Sequence, residues 1–382
     1  MAELNVLVKR IEVMEHPNAD VLQIAKIGAY QSCIPKGVFE TGDLAVYIPE
    51  ASVLPEWLIY KMGLVGKLAG KHKNRVKAIK LRGILSQGLV LKLDYDPNHP
   101  DSALLDLNSD CGEYVGVQED QDVKEYLDIT KYEPTIPTHM AGEVANLFGH
   151  TVSYDIANLK WHPDLINDGE EVVMTEKLHG TNMQIGILFN TTHSELFGDN
   201  NIFVASKGLG AKGLVFKNNE ANSRNLYVTI LQEYLERVKA VYRHYMQHAF
   251  HDIGPTSIHI FGEVFGPGVQ DLTYGLSHKE FRVFDVAMKT PHSVWWLDYD
   301  MLCGFCNQFG FDKVPLVYRG PFSYKEADIA ANNYASEYDE NQIQEGVVIT
   351  PVVERQDPFL GRVKLKHISE AYLLRSNGTE FN

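Results

Sequence analysis

Cysteine is scarce, with four residues in 382. Four thiols cannot build a disulfide framework, so a reducing, intracellular and cytoplasmic setting is expected. No apolar run approaches the roughly 18 residues a membrane helix needs, so no membrane association is expected. The N-terminal segment MAELNVLVKRIEVMEH carries Glu3, Glu12 and Glu15 and lacks a long apolar stretch, which argues against a signal peptide. Three catalytic signatures are missing: H-E-x-x-H, G-x-S-x-G and G-x-x-x-x-G-K-[ST]. A zinc-protease helix, a hydrolase nucleophile elbow and a P-loop are therefore not indicated. No period of 20–50 residues and no low-complexity tract appears. Acidic residues are missing from 57–93 altogether, although the whole chain has a net charge of −15.

What is present is ordinary for globular proteins: 45% hydrophobic and 22% charged residues. Disorder, collagen and coiled coil are excluded as the main architecture, and two domains are expected from the length. The acidic total at first argues against a nucleic-acid partner, but it is unevenly spread. Residues 1–107 carry 13 basic and 12 acidic side chains. The acid-free run holds Lys61, Lys67, Lys71, Lys73, Arg75, Lys77, Lys80, Arg82 and Lys92. The alternation in RVKAIKLRGIL predicts a strand with basic residues on one face and Val, Ala, Ile and Leu on the other. That face, 67–82, is either a polyanion-binding surface, through Lys71, Lys73, Arg75, Lys77, Lys80 and Arg82, or a merely solvated one. Six short strand candidates, separated by turns such as HPNAD, predict a small OB-type β-barrel over 1–107. Residues 108–128, with seven acidic side chains and one Lys, read as a linker. Residues 129–382 alternate strands and helices, with long amphipathic helices predicted over 222–250 and 324–338.

Two local patterns mislead. Gly208-Leu209-Gly210-Ala211-Lys212-Gly213 matches G-x-G-x-x-G, but no helix start or βαβ unit follows it. A flexible or substrate-covering loop is the better expectation. Cys303-Gly304-Phe305-Cys306 matches C-x-x-C, but a second pair to complete a zinc site is missing. Packed thiols on a helix or turn are expected.

The segment Thr175-Glu176-Lys177-Leu178-His179-Gly180-Thr181-Asn182 ends an apolar strand and turns through Gly180. A half-buried lysine there, once deprotonated, is a nucleophile. Taken alone it reads rather as a surface lysine at a strand end. Other segments follow in order. Lys177-Leu178-His179-Gly180 resembles motif I of the covalent nucleotidyltransferases, which include RNA ligases, DNA ligases and mRNA capping enzymes. Ser206-Lys207-Gly208 resembles the next motif, with Lys where many relatives have Arg. Phe261-Gly262-Glu263 resembles motif III, Phe281-Arg282-Val283-Phe284-Asp285-Val286 motif IIIa, Glu345-Gly346-Val347-Val348-Ile349 motif IV and Lys364-Leu365-Lys366 motif V. The K-x-H-G-T-N variant resembles the RNA-ligase branch that seals nicked duplexes. HPNADVLQIAKIGAY, GDLAVYIPE and VKAIKLRGILSQGLVL resemble the OB module of the Deinococcus and Naegleria type of ATP-dependent RNA ligase.

The resemblance implies an α+β chain: an OB-type β-barrel, an acidic linker, and over 129–382 a nucleotidyltransferase domain of ATP-grasp-like antiparallel sheets with helices. It implies that Lys177 takes AMP from ATP, passes it to a 5′-phosphate, and that a 3′-hydroxyl then displaces it. Glu263 is expected at the ribose, Phe284 on the adenine face, and Glu176 at adenine selection. Lys364 and Lys366, on one strand face, and Lys207 are expected at the phosphates. Glu345, with Glu263, is expected to hold Mg2+ or Mn2+. A neutral imidazole is a poor Mg2+ ligand, so His179, with Asn182 at the nucleotide, is expected to serve the steps after lysine adenylation or to shape the loop. The implied partners are ATP and RNA, or an RNA-containing nicked duplex, and nothing demands an oligomer. A DNA ligase or capping-type enzyme, and a non-enzymatic OB-fold nucleic-acid binder, are the alternatives.

Overall fold

Period-two alternation dominates the first 130 residues, and it builds sheets there. In a computed structural model of the chain, the described residues are 4–97, 99, 101–107, 113–247, 255–332, 335–376 and 378–379. They form two compact units, Ala2–Glu133 and Pro134–Asn382.

The first unit contains three three-stranded antiparallel sheets. One joins Leu7–Arg10, Leu44–Ile48 and Leu89–Lys92. A second joins Glu12–Glu15, Leu22–Ile27 and Tyr30–Pro35. A third joins Asp94–Tyr95, Ser102–Asp106 and Tyr114–Gln118. Val8, Val46, Ile48, Leu58 and Leu91 fill the core. Leu58 comes from a short helix, Glu56–Lys61, which no sequence pattern announced.

The acidic stretch expected as a linker differs from that reading. Tyr114–Gln118 pairs with Ser102–Asp106, and Val8 N donates to Gln121 O at 2.9 Å. Val117, Val123 and Leu127 are fully buried in the first unit's core. The acidic side chains alternate with these apolar ones, so the segment's composition hid its packing. Residues 108–112 of that stretch lie outside the described residues.

The second unit contains two five-stranded sheets. The first runs Ala157–Asn158, Leu365–Ile368, Gly346–Pro351, Glu171–Glu176, Leu316–Pro321. All its pairs are antiparallel except the parallel first one. The second runs Ile202–Ser206, Thr181–Leu188, Ser257–Phe265, Glu280–Lys289, Val294–Trp296, antiparallel throughout. Helix Leu226–Gln247 repeats apolar residues every three or four positions. Tyr227, Ile230, Leu231, Val238 and Val241 pack it on Ile185, Ile187, Ile258 and Ile260 of the second sheet. It begins four residues later than predicted, because Asn225 Oδ1 caps Tyr227 N at 3.0 Å and Val228 N at 3.2 Å. Helix Tyr324–Asn332 lays Ala327, Ala330 and Ala331 on the first sheet. The predicted helix continues to 338, but Ala335–Ser336 is already a strand. Among the described residues, no helix is long and apolar enough to cross a membrane.

Candidate active site

Strand Glu171–Glu176 belongs to the first sheet, and the next strand in the chain, Thr181–Leu188, belongs to the second. The segment between them, from Lys177 to Gly180, therefore carries the chain from one sheet to the other. Lys177 N donates to Gly346 O at 2.8 Å, tying it to the first sheet. Gly180 presses against the second: a Cβ there would lie 2.1 Å from Val264 O. Any larger residue would push the turn off the strand that carries Glu263.

Two carboxyls from distant segments, Glu263 and Glu345, converge on this link. Lys177 Nζ lies 2.6 Å from Glu345 Oε1. Glu345 is buried, and burial alone would raise its pKa. The Lys177 charge and the His179 hydrogen bond overcome this and hold it at about 2. Glu263 accepts from Gly180 N at 3.1 Å. Its burial pushes the carboxyl up to about 7; Lys177 works against this and the Glu345 charge reinforces it. Two neighbouring carboxyls thus sit on opposite sides of the ordinary range, which suits different roles.

His179 is 4% exposed. Its Nε2 meets Asp271 Oδ1 at 2.8 Å, and its Nδ1 lies 2.9 Å from the Tyr372 hydroxyl and 3.6 Å from Glu345 Oε2. Burial disfavours the imidazolium, but Glu345 and then Asp271 outweigh it, and the pKa is raised. Asp271 is pulled down to about 2 against its own burial, through Thr379 N, His179 and Arg375.

Lys366 is driven down to about 8, first by burial, then by the charges of Lys177 and Lys207. Lys207 Nζ is 2.9 Å from Asp155 Oδ1. Three amines, Lys177, Lys207 and Lys366, thus share one electrostatic neighbourhood, the arrangement that stabilises charge on a phosphate.

Lys364 goes elsewhere. Its Nζ is buried and lies 2.6 Å from Asp285 Oδ2. The same carboxylate takes Arg362 through two contacts, at 2.5 and 3.0 Å, and the Tyr154 hydroxyl at 2.9 Å. Arg362 also pairs with Glu354 and lies over the Trp296 ring at 4.1 Å. The expected pair of phosphate-facing lysines is therefore divided here between Lys366, near Lys177, and Lys364, committed to Asp285.

Phe284 is half-buried, with its ring centroid 5.2 Å from that of Tyr154. Glu176 Oε2 accepts from Glu337 N at 3.1 Å, and burial raises its pKa. Its Oε1, like the buried Asn182 Oδ1, has no hydrogen-bond partner among the described residues. Unpartnered buried acceptors are costly unless a ligand's donors reach them.

The basic residues of the first unit fall on less regular structure than expected. The only strand within RVKAIKL is Ile79–Leu81, paired with Ile84–Ser86. Val76 and Ala78 are buried as the alternation requires, but Ile79 is 49% exposed. Lys71, Lys73, Lys80 and Arg82 are exposed and Lys77 is half-buried, while the Arg75 guanidinium lies over the Tyr132 ring at 4.2 Å.

The two misleading patterns are also resolved. The glycine-rich segment opens with a short helix, Lys207–Ala211, capped by Ser206, where a loop was expected. Cys303 and Cys306 lie on helix Tyr299–Phe309. Burial pushes the Cys306 thiol up to about 12, which disfavours its thiolate. Asp271, Asp285, Arg362, Tyr154, Tyr372 and Arg375 were not singled out from the sequence. Their roles rest on contacts across 77 to 193 residues, and no local spacing signals these.

An amine nucleophile, a cation cluster and two carboxyls of different acidity form a site for nucleotidyl transfer. The RNA ligase family model matches residues 170–366, and an OB-fold domain model matches residues 5–93. The chain belongs to the RNA ligase family, with an N-terminal OB-fold domain. Its fold is similar to that of an RNA ligase from Naegleria gruberi. A variant of that ligase with ATP and Mn is 22% identical, covers 97% of each chain and superposes with a TM-score of 0.70. Another variant with AMP and Mn gives 22% and 0.72, covering 97% of this chain and 98% of that one. The form with PPi gives 21% and 0.71, with the same coverages.

Proposed function

We propose that the protein is an ATP-dependent RNA ligase that works through a lysyl-AMP intermediate and seals 3′-hydroxyl to 5′-phosphate ends at nicks in duplexes with an RNA 3′ strand. The observation that carries this reading is Lys177 Nζ at 2.6 Å from Glu345, with Glu263, His179 and Lys366 gathered around it. In the first step the Lys177 amine attacks the α-phosphorus of ATP. A P–N bond forms and the bond to pyrophosphate breaks. A 5′-phosphate oxygen then attacks the same phosphorus and releases the lysine, which recovers a proton. In the third step the 3′-hydroxyl attacks the 5′-phosphorus and AMP leaves. Lys366 and Lys207 neutralise phosphate oxygens in these steps. Glu176 Oε1 and Asn182 Oδ1 supply acceptors for the nucleotide, Phe284 a face for adenine, and Glu263 an acceptor for the ribose.

An amine held by a carboxylate is protonated and does not attack. No group of three or more His, Cys, Asp or Glu among the described residues is arranged to hold a metal ion, so the two carboxyls fit a hard cation that keeps most of its waters, as Mg2+ and Mn2+ do. Such an ion at Glu345 and Glu263 would draw Glu345 from Lys177, favour the free amine and neutralise phosphate charge. Lys71, Lys73, Arg75, Lys77, Lys80 and Arg82 form the basic run through which the OB-fold domain engages RNA.

Incubation with α-labelled ATP and Mg2+ tests the mechanism. The wild type is expected to carry an acid-labile label that Lys177→Ala lacks entirely. A wild type freed of bound AMP that takes no label would refute it. Nicks whose 3′ strand ends in RNA are expected to seal faster than all-DNA nicks; equal rates would favour a DNA ligase.

His179 acts after lysine adenylation, and Asp271 holds its ring. Asp271→Asn is therefore expected to slow sealing of pre-adenylylated ends by roughly 10-fold or more, with lysyl-AMP formation changed under about 3-fold. An equal loss in both steps would show that Asp271 serves folding only.

A further inference from the structure

The second unit has a cleft of about 540 Å³ that the active-site residues do not line. One wall is the start of helix Leu226–Gln247, with Arg224, Thr229 and Glu233. The other is formed by Pro267 and Gly268 with Ser277, His278 and Lys279. Gly266 brings this second wall together: its φ is +105°, and a Cβ there would lie 2.8 Å from His278 O.

Both walls back onto motif I. On the helix, the Tyr227 hydroxyl lies 2.7 Å from Thr181 Oγ1. On the loop, Gln270 Nε2 donates to Gly180 O at 3.0 Å, and Asp271 holds His179 at 2.8 Å. A ligand in the cleft is thus one residue layer from the reacting segment.

The chemistry of the lining selects the ligand. Arg224 and Lys279 are exposed, and neither has an ion-pair partner among the described residues; Glu233 is the one acidic side chain among the described lining residues. His139 Nε2, also in the lining, is buried and has no hydrogen-bond partner among them. The His139 carbonyl accepts from Leu226 N at 2.7 Å, which anchors the residue to the helix start. The helix's own first N–H groups are already capped by Asn225, so side-chain charge supplies the attraction. Among the described residues no Phe, Tyr or Trp lines the cleft, so they offer no platform for stacking bases. An open, cationic, non-stacking cleft suits a sugar–phosphate backbone.

We infer that this cleft binds backbone phosphates of the RNA being joined, through Arg224, Lys279 and His139, and seats the strand against motif I. The inference rests on the RNA-ligase reading and adds a subsite to it. The source of the phosphate is the RNA strand, not the triphosphate of ATP.

The test uses the full chain, with Arg224→Ala, Lys279→Ala, the double variant and Glu233→Gln. Lysyl-AMP formation, Kd for a nicked RNA duplex and sealing of a pre-adenylylated nick are measured across salt concentrations. The double variant is expected to raise Kd and the sealing KM about 10-fold, and to lower the salt slope by about 1 to 2. Glu233→Gln is expected to shift both in the opposite direction. Lysyl-AMP formation and its KM for ATP are expected to stay within about 2-fold of wild type. Unchanged Kd and KM for RNA would overturn the inference. A raised KM for ATP would also overturn it, by assigning the cleft to the triphosphate. If the wild type forms lysyl-AMP but seals no RNA, the ligase reading fails, and Kd for the duplex still decides the cleft.

Discussion

Replacing Asp285 by alanine is expected to lower the unfolding free energy by roughly 3–5 kcal/mol, the usual cost of leaving buried charges unpaired. Asp285 is 1% exposed and takes Lys364, Arg362 and the Tyr154 hydroxyl together. Arg362 keeps Glu354 after the change, but Lys364, itself buried, loses the carboxylate that holds it. Removing Lys364 instead is milder, because Asp285 retains Arg362 and Tyr154. The expected order of damage is therefore Asp285→Ala above Lys364→Met, read from urea unfolding of each variant. The pH dependence has a definite sign. Burial raises the Asp285 pKa, and the Arg362 and Lys364 charges more than reverse this, so its folded value lies below the ordinary one. Its stabilisation is present above the ordinary aspartate range and is lost as pH falls through the depressed value. The alanine variant should lose that part of the acid sensitivity. A loss below about 1 kcal/mol would show that the network does not hold motifs IIIa and V together.

Glu263→Gln is expected to do the opposite to stability while removing activity. The folded value is raised from 4.5 to about 7, so the folded protein holds this proton more tightly than the unfolded chain. That contribution is fully present below pH 4.5 and is lost as pH rises to about 7. The shift corresponds to roughly 3 kcal/mol. Glutamine keeps the shape and cannot ionise. Thermal unfolding without nucleotide should therefore show the variant more stable than wild type at pH 8, with the gap closing by pH 5. An equal gap at both pH values would contradict the assignment of the strain to ionised Glu263. The sealing reaction should be lost at either pH, because the ribose and metal contacts proposed for Glu263 need the carboxylate.

These two residues also show what was legible before any coordinates. Glu263 and Lys177 lie in short patterns at strand ends, where the residue type and the apolar run around it carry the signal. The strands themselves follow from alternation, and the helix over 226–247 from its apolar period. Asp285 was visible only as a letter within motif IIIa. Its function is set by Arg362 and Lys364, 77 and 79 residues later. Asp271 was not legible at all, since it sits in a loop with no periodic pattern and acts through His179. The acidic 113–128 stretch was misread because average charge ignores which face each side chain takes.

The chain crosses between its two sheets at Lys177, whose backbone is bonded to Gly346 on one side while Gly180 packs on Val264 on the other. Were the sheets to rock against each other about this link, it would lie near the pivot. In any rocking of one sheet against the other about it, displacement grows with distance from the pivot. Residues at the sheet rims would then move farther than the amine near the pivot. Substrates of different bulk could then be admitted by opening the rims, while the nucleophile keeps nearly the same aim.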